Sequence, residues 1–131
     1  MFCDLVGSTA LSARLDPEDL REVYGAYHAA AAEEVARFGG LVAKYMGDGV
    51  LSYFGYPQAH EDDAERAVRT GLALAERVAR LEMHDLPLAA RVGIATGLVV
   101  VGDLIGQGEA HAGAGAARRR RDRRGHPAAA W

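Results

Sequence analysis

The stretch LVAKYMGDGVLSYF, residues 41–54, restricts the fold more than any other part of the chain. Two apolar runs, Leu41 to Met46 and Val50 to Phe54, flank Gly47-Asp48-Gly49. An Asp-Gly turn between apolar runs is a strong signal for an antiparallel hairpin. A helical segment lies on either side. Upstream, Asp16-Pro17-Glu18-Asp19 supplies an N-cap, a proline at the first helical position and acids at the positive end of the dipole. Leu20, Val23, Tyr24, Tyr27, Ala31, Val35 and Phe38 then recur at helical spacing until Gly39-Gly40. Downstream, His60-Glu61-Asp62-Asp63 leads a second helix, with Ala64, Ala67, Val68, Gly71, Leu72, Ala75 and Val78 on one side. Met1 to Asp4 reads as a strand ahead of the first helix. Leu88 to Ala95 and Leu98 to Ile105 read as two more, joined as a hairpin through Thr96-Gly97. The order strand, helix, strand, strand, helix, strand, strand predicts an α+β fold. It is a ferredoxin-like split βαβ sandwich, a mainly antiparallel sheet with helices on one face.

At 131 residues there is room for one domain and one hydrophobic core. No apolar run approaches the ~20 residues of a membrane-spanning helix, and the start lacks the basic region and apolar stretch of a signal peptide. No membrane segment is therefore expected, and the cytoplasm is the expected location. The single cysteine, Cys3, cannot form an internal disulfide, which fits a reducing compartment, and it reads as a small buried strand residue. Charge is unevenly spread. Up to Ala117 there are nine basic and seventeen acidic residues, and the remaining basic ones crowd into Arg118 to Arg124. An acidic body of this kind does not predict a nucleic-acid partner. After Ile105 no Val, Ile, Leu, Phe, Tyr or Met follows, so residues 109–131 form an Ala/Arg/Gly-rich tail expected to be disordered. Two origins stay open for it: a tether for acidic surfaces, or a wrong-frame read-through rich in GC-coded residues.

Asp4 ends the first strand and Asp48 sits in the hairpin turn. In a split βαβ sheet these strands are neighbours, so both carboxylates can project from one region. Two carboxylates converging on open space form an oxygen-donor site for Mg²⁺. Two such ions roughly 3.5–4 Å apart can activate an attacking oxygen and stabilise a phosphoryl displacement. The small residues of Leu5-Val6-Gly7-Ser8-Thr9 would let backbone N–H groups approach a phosphate, and a helix starting there would add its positive end. Taken alone, Asp48 reads first as an ordinary turn aspartate, and it is the placement with Asp4 that favours a site.

Four segments occur in order: FCDLVGST (2–9), KYMGDG (44–49), HEDDA (60–64) and RVGIATG (91–97). Together they closely resemble the class III adenylate/guanylate cyclase catalytic domain in its bacterial form, over residues 1–108. The resemblance implies a head-to-tail dimer, either a homodimer or a heterodimer with another cyclase domain. Its shared sites would convert a nucleoside triphosphate to the 3′,5′-cyclic monophosphate and pyrophosphate. Asp4 and Asp48 match the two catalytic, metal-binding aspartates, and Leu5 matches the residue lending a backbone carbonyl to one of two Mg²⁺ or Mn²⁺ ions. Val6, Gly7, Ser8 and Thr9 match the phosphate-cradling turn, and Met46-Gly47 the backbone before the second aspartate. Lys44 matches the purine-reading position supplied by the partner subunit. Adenine N1 is an acceptor and suits a lysine donor, whereas guanine N1 carries a hydrogen, so ATP is the implied substrate.

Other motifs carry two readings each. The acids after His60 are helix N-terminal charges or a metal cluster, the former favoured. Arg91 is a phosphate contact or a solvated strand arginine. Leu98 stands where many relatives carry a basic phosphate ligand. The family pattern continues past Gly108 with a second purine reader, then an asparagine and an arginine on a helix. Nothing in Glu109 to Trp131 matches, and the chain contains no asparagine. Met1 also lies inside the first strand rather than before it. The sequence thus predicts a cyclase domain truncated at both ends, by a start-site error and a frameshift, with impaired turnover. The alternative is a non-catalytic module that pairs with an intact cyclase subunit. A diguanylate cyclase or polymerase palm is disfavoured, because the hairpin reads Met46-Gly47-Asp48-Gly49 rather than Gly-Gly-Asp/Glu-Glu-Phe.

Overall fold

In the computed structural model, which describes residues 1–101 and 129–130, the central hairpin forms between β2 (Leu41–Met46) and β3 (Gly49–Tyr53). The strands close at Met46 and Gly49, so the turn is the two residues Gly47-Asp48. Only Gly47 takes a positive φ, of 60°, and a glycine first in a two-residue hairpin turn is the type II′ pattern. Between β1 (Phe2–Leu5) and β2 run two helices, α1 (Ser8–Arg14) and α2 (Pro17–Arg37). The chain continues through α3 (Asp63–Ala79), β4 (Glu82–Met83), β5 (Leu86–Pro87), β6 (Ala90–Gly93) and β7 (Thr96–Gly97), with β8 at Ala129–Ala130. The main sheet has the order β2-β3-β1-β6 with every pairing antiparallel. β3 lies between β1 and β2, the split βαβ arrangement predicted.

Strand alternation gives the sheet two unlike faces. Cys3, Leu5 and Val50 point to the helices, where they form the core with Val23, Tyr27, Ala31, Leu74 and Val78. Phe2, Asp4, Leu51 and Tyr53 lie on the other face, part of which Val99 covers by packing on Leu51 and Tyr53. A bulge between Val42 and Lys44 changes which residues reach each face. Lys44 pairs with Leu51 and Tyr45 with Val50. Directly paired residues share a face, so Lys44 joins the helix-free side and Tyr45 the helix side, where its ring centroid is 4.8 Å from that of His28. Without the extra residue, Lys44 would share the face of Val42.

α2 begins as predicted, with the Asp16 carboxylate accepting from the Asp19 N–H at 2.9 Å. Its inner stripe is Val23, Tyr27, Ala30, Ala31 and Val35. α3 is rotated from expectation. Ala67, Thr70, Gly71, Leu74 and Val78 are buried, while Val68 is 48% and Leu72 69% exposed. Thr70 can face inward because its hydroxyl donates to the Arg66 carbonyl at 2.7 Å. Arg77 of α3 pairs with Glu33 and Glu34 of α2.

The expected strand from Leu98 to Ile105 is not formed over residues 98–101, and its remainder lies outside the described residues. Thr96-Gly97 is not a hairpin turn but the short strand β7, paired with β8. The tail lies outside the described residues apart from β8. β4 and β5 form a small hairpin, closed by Met83 and Leu86, with His84 and Asp85 both at positive φ. That pair of φ values is the type I′ turn, built here without glycine.

Gly40 shows how closely the helix end packs. A Cβ there would sit 2.6 Å from a ring carbon of the fully buried Phe54 and 2.9 Å from Val35 Cγ1. Neither neighbour can move freely, so Gly40→Ala is expected to destabilise by about 2 kcal/mol, the usual scale of overpacking. A urea titration showing an unchanged midpoint would refute this packing.

Candidate active site

β1 ends at Leu5, and the Leu5 N–H donates to Asp48 Oδ2 at 3.1 Å. This bond ties the strand end to the hairpin turn and fixes Asp48 beside the residue that follows Asp4. Both carboxylates therefore stand at one corner of the sheet. Asp4 lies opposite Arg91 in the β1–β6 pairing. The Arg91 Nε–H donates to Asp4 Oδ1 at 3.1 Å and an Nη2–H to Oδ2 at 3.0 Å, a two-pronged ion pair. The hydrogen bonds and charge of Asp4 raise the Arg91 guanidinium above its ordinary value, and Asp48 adds to the effect. Burial and then the charge of Asp48 raise the Tyr24 phenol. Tyr24 and Arg91 thus both lie within electrostatic range of this corner.

The turn after β1 has a permissive shape. Gly7 takes a left-handed conformation, φ 70°, as N-cap of α1, and a Cβ there would meet nothing within 4 Å. The Val6 N–H is bound to the Ala89 carbonyl at 2.8 Å. Among the described residues the amides of Gly7, Ser8 and Thr9 have no partner, as expected for the first turn of a helix. Leu5 itself is buried by its side chain, and Val6 is 51% exposed. Met46 and Gly47 bring the chain into the turn carrying Asp48. The donor set, two carboxylates with unpaired amides alongside, fits a hard divalent cation and the anion that would accompany it.

Lys44 is not part of this corner. It lies on β2, two strands from Asp4, or about 10 Å of inter-strand spacing alone. The group after His60 is structural: Asp63 accepts from the His60 N–H at 2.7 Å and pairs with its Nδ1 at 3.1 Å, while Asp62 pairs with Arg66. A cluster that the sequence did not suggest joins the β4–β5 turn to α2. His84 Nε2 is 3.5 Å from Glu22 and 3.8 Å from Asp19. The Asp4–Arg91 pair and the nearness of Tyr24 were likewise not foreseen. Both depend on strand register and helix docking, for which one sequence carries no local signal.

Comparison with known proteins places the chain in a family. The profile of the family described as adenylate and guanylate cyclase catalytic domain matches residues 1–111. A Streptomyces coelicolor protein named adenylate cyclase is 40% identical over 108 residues, covering 80% of this chain and 26% of the relative. Among solved structures, the guanylyl cyclase Cya2 superposes with a TM-score of 0.59 at 32% identity, over 76% of this chain and 56% of that one. The adenylyl cyclase CyaB from P. aeruginosa gives a TM-score of 0.59 at 29% identity, over 69% and 50%. The chain spans only 19% of the length of other curated relatives.

Proposed function

Because the chain belongs to the adenylate and guanylate cyclase catalytic-domain family, we propose that it provides an adenylate cyclase-type site, converting ATP to 3′,5′-cyclic AMP and pyrophosphate in intracellular signalling. The observation that carries this reading is the Leu5–Asp48 hydrogen bond of 3.1 Å, which gathers two carboxylates at one corner. Asp4, Asp48 and the Leu5 carbonyl would hold Mg²⁺ or Mn²⁺. A bound pair of such ions supplies a lowered pKa for the ribose 3′-hydroxyl and neutralises phosphate charge. The Leu5 N–H holds Asp48 at the end of the strand that carries Asp4. Gly7, Ser8 and Thr9 offer amides to phosphate oxygens, Arg91 adds positive charge, and Met46-Gly47 shapes the backbone ahead of Asp48.

Lys44 would donate to adenine N1 of a nucleotide held by another chain's carboxylates. Its separation from Asp4 on one sheet supports a site shared between two subunits. A heterodimer with another cyclase domain is the second reading, compatible with Lys44 and Asp4 lying two strands apart on one sheet. Such a chain would contribute Asp4 and Asp48 without turning over alone.

The test is a titration of the purified chain with fluorescent ATP and GTP analogues, with and without Mn²⁺. Binding is expected to need Mn²⁺ and to favour ATP by about tenfold, the scale of one well-matched hydrogen bond. Lys44→Ala should bring the two purines to similar affinity. Cyclic AMP formation by the chain alone should be low, each missing transition-state donor costing about 10²–10³. It should rise on mixing with a complete cyclase domain. Mn²⁺-independent binding, or equal affinities in the unmutated chain, would refute the proposal.

A further inference from the structure

We infer that Arg91 is a positioning residue that latches Asp4 shut, so that cation loading at Asp4 requires the guanidinium to let go. The inference rests on the metal role proposed for Asp4 above. The two carboxylates of the corner are in unlike states. Asp48 has one oxygen held by a backbone N–H, and among the described residues that is its only hydrogen-bond partner. Asp4 has both oxygens taken, one by Nε–H and one by Nη2–H of the same arginine. A cation approaching Asp4 meets a carboxylate whose two donor atoms already face a positive charge.

The pair is built in rather than a chance meeting of surface side chains. Asp4 and Arg91 are directly opposite across β1 and β6, so strand register delivers the guanidinium to the carboxylate. The Arg91 side chain is 70% exposed and that of Asp4 only 24%, so the arginine is on the solvent side of the pair. Its charge also offsets the repulsion between two neighbouring carboxylates, a task that a cation takes over when it binds. Arginine and metal are therefore alternative counter-ions for Asp4, and their binding is anticooperative. Asp48 has no such guard, so a first cation is expected to lean on Asp48 and to gain Asp4 only as Arg91 departs.

The test uses Mn²⁺ alone, followed by electron paramagnetic resonance, with no nucleotide present. R91A should bind Mn²⁺ about fivefold more tightly than the unmutated chain, the modest scale expected of a solvent-exposed but two-pronged ion pair. R91K keeps the charge but cannot span both oxygens, and it should also tighten binding, by about twofold. In thermal melts, Mn²⁺ should raise the Tm of R91A by more than that of the unmutated chain. If R91A leaves the affinity unchanged, or R91K matches the unmutated chain while R91A alone tightens, the latch is overturned. The control is D4N. A large loss of Mn²⁺ binding in D4N with a silent R91A sinks the latch alone, whereas unaltered binding in D4N sinks the metal role of Asp4 and the latch with it.

Discussion

Replacing Asp48 with asparagine is expected to abolish cation-dependent nucleotide binding and leave the fold standing. The carboxylate has two separable tasks. Its Oδ2 accepts the part-buried Leu5 N–H at 3.1 Å, which fastens the end of β1 to the hairpin turn. Its charge is the proposed cation ligand. An asparagine side chain keeps the size and one carbonyl acceptor, so Asp48→Asn preserves the fastening and removes only the charge. Loss of affinity for Mn²⁺ with ATP should be on the order of 10² or more, since disturbing even the groups that orient a metal ligand costs about 10–100-fold. The Tm should stay within about 2 °C. Asp48→Ala removes both tasks and leaves the Leu5 N–H without a partner, a penalty of about 1–3 kcal/mol. For a domain near 100 residues that is a drop of several degrees. Because the Asp48 charge helps raise the Tyr24 phenol, spectrophotometric titration should find that group lowered toward its ordinary value in both variants. Unchanged Mn²⁺-dependent binding in Asp48→Asn would remove Asp48 from the site.

What the sequence disclosed and what it withheld divide along one physical line. Features set by neighbouring residues were legible. Asp16, Pro17 and Gly39-Gly40 bracket α2, and the glycines around Asp48 turn the hairpin, because caps and turns are decided within a few residues. Motif spacing was enough to identify the family. Features set by register were not legible. The Asp4–Arg91 pair joins residues 87 positions apart, and the bulge that sends Lys44 to the helix-free face depends on how β2 meets β3. The α3 stripe was misjudged because Ala, Gly and Thr are small enough to face either way. Packing against Val92 then selected Gly71 rather than Leu72 for the inside. The β4–β5 hairpin escaped notice because His84 and Asp85 adopt positive φ without a glycine to announce it.

In a polypeptide made to start at Met1, adding two residues ahead of it is expected to stabilise the fold, and to do so increasingly as the pH falls. Met1 is fully buried, and its terminal nitrogen donates to the Ser52 carbonyl at 2.8 Å. The Ser52 N–H donates back to the Met1 carbonyl, also at 2.8 Å, so the β1–β3 ladder takes in Met1. Burial strips water from the amine and pushes its pKa from 8.0 down to about 4, with the nearby Cys3 opposing slightly. Between those values the unfolded chain carries a proton that the folded chain rejects. Stability therefore rises with pH from about 4 to about 8 and is lost as the pH falls, at up to about 1.4 kcal/mol per unit. From pH 8 to pH 5 the loss is on the order of 3–4 kcal/mol, a large share of the 5–15 kcal/mol that typically holds a domain together. An added residue turns the amine into a peptide N–H, which can make the same bond to Ser52 and does not titrate. Urea midpoints of the two chains should converge above pH 8 and separate steadily toward pH 5. Histidines and carboxylates are common to both, so the difference isolates the terminal amine, and parallel curves would show that it has no such role. The consequence reaches the candidate site, because the ladder that seats Met1 against Ser52 continues through Phe2 and Cys3, the residue before Asp4. Protonation that loosens the start of β1 should also loosen the Asp4–Asp48 corner, and Mn²⁺ affinity should fall faster with acid in the unextended chain.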